Sequence, residues 1–161
     1  MMYEFDWRLI TSQMYQESRF DPHATSWAGA KGLMQLMPRT AQEMGFTGLH
    51  DPNVSIHAGT KYVSHMRGRL TEDIDLGDRT WFALASYNAG LGHVKDARRL
   101  AAKQGWDQNR WFDHVEHAML QLSKPEYANQ ARHGYVRGHE PVKYVREIRD
   151  RYQAYVTLTE Q

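Results

Sequence analysis

The sequence predicts an all-α fold, on three observations. Apolar residues recur at spacings of three and four through several stretches, no run alternates with the two-residue period of a strand, and Asp, Pro and Gly punctuate the chain at helix-length intervals. No internal repeat is visible. With 161 residues, 41% of them hydrophobic, the chain can bury a core without metal or disulfide staples, and the simplest organisation is one domain over 1–161.

The elements follow in order. Asp6 caps a helix over about 7–18, and Trp7, Ile10 and Met14 share one of its faces. Residues 19–37 read as a long functional loop, with Asp21-Pro22, Gly29 and Gly32 as turn signals. Pro38 suits the first turn of a short helix that Gly45 ends. Asp51-Pro52-Asn53 starts another, reaching about Leu70, and Asp78 caps a strongly apolar helix through Trp81-Phe82-Ala83-Leu84-Ala85 that ends near Gly90. Helical stretches over about 91–104 and 109–123 are separated by Gly105, and a short one covers about 125–132. Gly134 and Gly138 break the chain before Pro141 opens the last helix, where Tyr144, Ile148, Tyr152 and Tyr155 share a face. Many short helices around one or two central ones is the architecture this implies.

Composition excludes several classes of function. Twenty basic and 19 acidic residues leave a formal charge of +1, without the concentrated basic face of a nucleic-acid binder. No apolar run reaches the roughly 20 residues of a membrane span, and Met1-Met2-Tyr3-Glu4 lacks the basic start and apolar stretch of a signal peptide. The absence of cysteine removes a disulfide scaffold and a thiol nucleophile but identifies no compartment. Asp73-Ile74-Asp75-Leu76-Gly77-Asp78 resembles the start of a calcium loop, but its Gly is one place early and Leu84 stands where a bidentate carboxylate belongs. His114 and His117 can meet on a helix surface with no third ligand suggested nearby. No metal and no cofactor is expected.

Glu17 is the residue with the most to explain. It lies three residues past Met14 at the end of the first helix, so the apolar stripe carries it inward. Burial and the negative end of the helix dipole both disfavour its charge and so raise its pKa. A general acid working near neutral pH needs that. The ordinary alternative is a solvated Glu at a helix end, paired with Arg19.

Four segments stand in order: Glu17-Ser18, Gly32-Leu33-Met34-Gln35, Ser86-Tyr87-Asn88-Ala89-Gly90 and Glu140-Pro141-Val142-Lys143-Tyr144-Val145. Together they resemble the catalytic domain of the soluble-lytic-transglycosylase family, over about residues 6–157. The stretch from Gly134 to Val145 is most similar to the membrane-bound F type of that family. Ser86 stands where the family usually has Ala. The solute-binding-like domain, export signal and membrane anchor of the F type have no counterpart in this sequence, which leaves targeting open.

The resemblance implies a lysozyme-like fold of the goose type with a substrate groove. It also implies action on peptidoglycan glycan strands in the periplasm or cell envelope, with cell-wall or secretion machinery as candidate partners of the full-length protein. The bond cut would be the β-1,4 link between N-acetylmuramic acid and N-acetylglucosamine, with Glu17 as acid and then base and a 1,6-anhydromuramoyl product. Ser18, Met34, Gln35, Tyr87, Asn88, Glu140 and Tyr144 are the substrate-binding candidates. Each has a plainer reading. Ser18 can bond its own helix, Met34 can be core, Asn88 can fix a helix end, and Glu140 before Pro141 suits a helix N-terminus. Tyr144 shares its face with Tyr152 and Tyr155, which warns that such tyrosines are often core. Gln35 offers donor and acceptor to acetamido groups.

Two other functions fit part of the pattern. A goose-type lysozyme would hydrolyse the same bond with water activated by a further group. Asp21 and Asp51 are the carboxylates for it, but each precedes Pro in a turn, where capping is the ordinary role. A non-catalytic glycan-binding module would keep the groove and lose the Glu, and Glu17 is present.

Overall fold

Asp6 opens the first helix as its position requires. Its carboxylate accepts the Arg8 N–H at 2.9 Å and so caps α1, Trp7–Ser18. The computed structural model describes residues 2–70 and 73–160. Seven further helices follow among the described residues: α2 (Pro38–Glu43), α3 (Pro52–Gly68), α4 (Leu76–Ala89), α5 (Leu91–Lys103), α6 (Glu116–Gln121), α7 (Pro125–Ala128) and α8 (His139–Thr159). No strand occurs among them; isolated antiparallel bridges join Thr25 to Lys31 and Lys31 to Leu36. No helix among the described residues is long and apolar enough to cross a membrane.

The chain divides into two compact units, Met1–Ser64 with Glu147–Gln161, and His65–Arg146. In the first, Leu9, Ile10, Leu33, Met34, Leu36, Ala58 and Val63 form the core. Gln16 of α1 donates to Glu147 Oε2 (2.6 Å) and accepts from Arg151 (3.0 Å), so both ends of one amide fasten α1 to the later turns of α8. In the second unit, Phe82, Leu84, Val94, Ala97, Trp111, Val115 and Met119 are buried, and Trp111 meets the Phe82 ring edge-on at 5.8 Å.

The structure departs from the sequence reading at four places. The cap of α4 is Asp75, which accepts the Asp78 N–H at 2.8 Å. Asp78 instead accepts the Trp111 N–H at 2.9 Å, and burial raises its pKa. The helix expected over 109–123 is divided. Residues Trp111–Val115 form an irregular π turn with Asp113 at φ 66, and regular helix starts only at Glu116. Anchoring the buried Trp111 on both Asp78 and Phe82 fixes that turn against helical continuation. The stretch expected over 125–132 ends at Ala128. Trp7 is 61% exposed, and the buried face of α1 is Leu9, Ile10, Ser12 and Gln13.

Candidate active site

Glu17 is half-buried in the last turn of α1, four residues beyond Gln13 on the buried side. The helix stops directly after it. Arg19 takes a left-handed φ of 51 and returns its N–H to Tyr15 O at 2.9 Å, and Phe20 follows at φ 65. Two consecutive non-glycine residues in this region cost on the order of 1 kcal/mol or more each, a kind of strain that concentrates at functional sites. The turn is held by the T-shaped contact of Phe20 with Tyr15 (5.5 Å) and by the Arg151 guanidinium 4.2 Å over the Tyr15 ring.

Ser18 joins this helix end to the second motif. Its hydroxyl proton is shared between Met14 O (3.1 Å) and Leu33 O (2.8 Å). Around Leu33 the loop is tightly built. Gly32 has φ 83, and a Cβ there would lie 2.1 Å from Leu49 O, so only glycine fits. The Met34 N–H donates to Ser55 Oγ at 3.1 Å, and the Met34 side chain is wholly buried. Met34, expected among the substrate-binding residues, therefore belongs to the core. The absence of a side chain on Gly59 leaves room for it, since a Cβ there would lie 2.5 Å from Met34 Cβ.

Gln35, like Arg19 and Phe20, is a non-glycine residue at positive φ (49). Its Nε2 donates to Gly32 O (2.9 Å) and Ala24 O (3.1 Å). Both amide protons thus serve the loop itself, and the expectation that Gln35 also donates to a ligand is corrected. That signal was absent from the sequence, because Ala24 is brought close only by the fold of the turn.

In the second unit, Tyr87 is half-buried and Asn88 exposed at the end of α4. The helix is closed by the Gly90 N–H to Ser86 O (2.8 Å), backbone to backbone, so the Asn88 side chain does not make the cap. Ser86, at the family's Ala position, is buried and satisfies its hydroxyl on Phe82 O at 2.8 Å. Tyr144 is buried, at 4% exposure, in α8, while Glu140 in the first turn is exposed and 3.7 Å from Arg137.

The carboxylates offered for a water-activating role are used in turns. Asp21 Oδ1 accepts the His23 N–H and Asp51 Oδ1 the Asn53 N–H, each at 2.9 Å. Asp113, Glu116 and His117 place one ligand-type atom each within 4.8 Å of one another, so His117 groups with two carboxylates rather than with His114 as the spacing suggested. His114 instead accepts the Asp107 N–H through Nδ1 (3.0 Å). Buried Glu116 already accepts two Arg146 N–H bonds, at 2.8 and 2.9 Å, and the Asp113 N–H. The Glu116 carboxylate is thus paired with Arg146, while Asp113 and His117 are exposed.

The sequence profile of the transglycosylase SLT domain matches residues 1–109. The chain belongs to this family. It is 46% identical over 155 residues to the membrane-bound lytic murein transglycosylase F of Pseudomonas fluorescens, covering 96% of this chain and 32% of that protein. It is 47% identical over 158 residues to the protein of the same name in Hahella chejuensis, covering 98% and 31%. The chain thus spans about a third of the length of these relatives.

Among solved structures, the 70 kDa soluble lytic transglycosylase of Escherichia coli superposes with a TM-score of 0.64 at 25% identity, over 95% of this chain and 22% of that one. An inactive Glu-to-Gln mutant of lytic transglycosylase Slt from Pseudomonas aeruginosa gives 0.68 at 24% identity, over 98% and 22%. The all-α, lysozyme-like SLT fold and the F-type kinship expected from the motifs are both borne out. Glu140 and Tyr144 lie beyond the SLT profile match, within the stretch aligned with the F-type relatives.

Proposed function

We propose that this SLT domain is a peptidoglycan lytic transglycosylase of the cell envelope with Glu17 as its one catalytic acid and base. The observation that carries the reading is the helix end itself. A half-buried carboxylate stands in the last turn of α1, beside a strained turn and the loop that Ser18 fastens to the helix, in a chain akin to lytic murein transglycosylases.

The reaction balances on a single group. Protonated Glu17 gives its proton to the glycosidic oxygen as the bond from that oxygen to C1 of N-acetylmuramic acid breaks. The resulting Glu17 carboxylate then takes the proton of the same sugar's C6 hydroxyl while O6 bonds to C1. The 1,6-anhydro ring closes, Glu17 regains its proton, and no water is consumed. Gln35 presents its Oε1 as an acceptor for an acetamido N–H, with Tyr87, Asn88, Glu140 and Tyr144 as further contacts to the strand. Ser18 acts as a positioning residue through the loop, and Met34 supports that loop from the core.

Digestion of purified sacculi tests the reading. Muropeptides should end in anhydromuramic acid, one water lighter than a reducing end, and Glu17→Gln should lower release by about 10² to 10⁴ while circular dichroism stays unchanged. Reducing ends would assign the domain to hydrolysis, and clearance retained by a folded Glu17→Gln variant would remove Glu17 from the chemistry.

A further inference from the structure

Trp27 is 100% exposed, although nothing about its loop is loose. The Ser26 N–H donates to Ala30 O (2.9 Å), the Ala30 N–H returns to Ser26 Oγ (3.0 Å), and the Gly29 N–H closes on Ser26 O (3.0 Å). The Gly32 N–H on Ala24 O (2.9 Å) and the Thr25–Lys31 bridge tie off the base. An indole offers more apolar area than most side chains, and burying such a group ordinarily contributes a few kcal/mol. Here a pinned turn holds it wholly in water. Its neighbours Ser26, Ala28, Gly29 and Ala30 are small and uncharged, so neither ring face is screened.

The turn is continuous with the Glu17 helix end. Ala24 is bonded to Gly32 and Gln35, and Leu33 to Ser18. From Ala24 to Trp27 is three residues, at most about 11 Å of chain, so the ring stands within the reach of a bound oligosaccharide. The faces of a β-1,4-linked pyranose carry axial C–H groups and are apolar, and they suit stacking on an indole. An uncharged turn suits an uncharged sugar ring, whereas binding to an anionic membrane surface draws on clustered Lys and Arg.

We propose that Trp27 is a stacking platform for an N-acetylhexosamine ring of the glycan strand, at a subsite away from the scissile bond. This rests on the peptidoglycan reading above. Because the backbone of the turn is already pinned, little loop entropy is lost on binding.

Co-sedimentation with peptide-free glycan strands tests it, using the Glu17→Gln chain to prevent cleavage. Trp27→Ala should weaken binding about three- to tenfold, the scale of one aromatic contact, and Trp27→Phe should restore most of it. In the chain with Glu17 intact, the loss should fall on KM. Strands should also protect the Trp27 indole from acrylamide quenching. Unchanged affinity in Trp27→Ala overturns the proposal. So does a Trp27-dependent affinity for phosphatidylglycerol vesicles without one for glycan. If sacculi yield no anhydro ends and glycan binding still depends on Trp27, the reaction assignment fails and the platform stands.

Discussion

The Ser18 hydroxyl reaches across to Leu33 O at 2.8 Å, joining the helix that carries Glu17 in its last turn to the loop that carries Gln35. The same proton is shared with Met14 O one turn back. The bond therefore fixes the angle at which the chain leaves α1 and the height at which the loop lies against it. Removing it should matter more to geometry than to stability. Ser18→Ala should cost about 0.5–1.5 kcal/mol in urea unfolding, the net worth of one hydrogen bond. Turnover of sacculi should fall by more than that stability loss alone accounts for. Full activity in Ser18→Ala would show that the loop holds its place without the hydroxyl.

Gly59 and Met34 give a second test of the loop. The Ala Cβ in Gly59→Ala would lie 2.5, 2.7 and 2.9 Å from Met34 Cβ, Cγ and Cε. Those atoms belong to a side chain with no solvent exposure, so relief requires the Met34 backbone to move. Gly59→Ala should destabilise by about 1–3 kcal/mol despite the better helix propensity of Ala. A melting temperature equal to or above that of the parent would mean that Met34 repacks freely.

Asp6 carries a pH dependence of known sign. The hydrogen bonds from the Arg8 side chain are the largest cause, followed by the Arg8 N–H and the Tyr152 hydroxyl, and they hold its carboxyl at about 2 against an ordinary 3.8; burial opposes them. A depressed carboxyl pKa contributes stability that is complete above the unfolded value and is lost as pH falls through the folded one. The contribution should therefore fade from about pH 4 to about 2. Asp6→Asn keeps a capping side chain but has no proton to gain. Its unfolding free energy should fall less steeply than the parent's across that window. Parallel curves would place the acid sensitivity elsewhere.

The parts of this molecule legible in the sequence are those governed by local chemistry. Asp6, Pro38 and Gly90 mark helix ends through their own backbones or side chains, and α1 falls where the spacing puts it. Asp75 and Asp78 are three residues apart and equally good caps in isolation; the distant Trp111 N–H claims Asp78 and leaves the cap to Asp75. Met34 could not be assigned to core because the space it fills is made by Gly59 on α3. Gln35 loses its donors to Ala24 O and Gly32 O, a contact defined by the turn rather than by the motif. Trp27 lay within the expected loop, but its full exposure depends on how the turn is pinned.

Tyr144 and Tyr152 lie on one face of α8, and the structure separates the roles open to them. The Tyr152 hydroxyl donates to Asp6 Oδ2 at 3.1 Å, which makes it part of the α1 cap. Tyr152→Phe should lose about 1 kcal/mol of stability, below the range for a fully buried charged partner because the site is partly exposed. Its turnover should be unchanged. Tyr144 is 4% exposed, and its ring packing survives conversion to Phe. If its hydroxyl orients the strand, Tyr144→Phe should lower kcat/KM about tenfold, which is about 1.4 kcal/mol of transition-state stabilisation. The melting temperature should move less than in Tyr152→Phe. The pair forms a crossed comparison, one variant losing stability and the other turnover. Near-normal turnover in Tyr144→Phe, with a large loss only on truncation to Ala, would assign the residue to the core, where removing an aromatic ring costs about 3–5 kcal/mol.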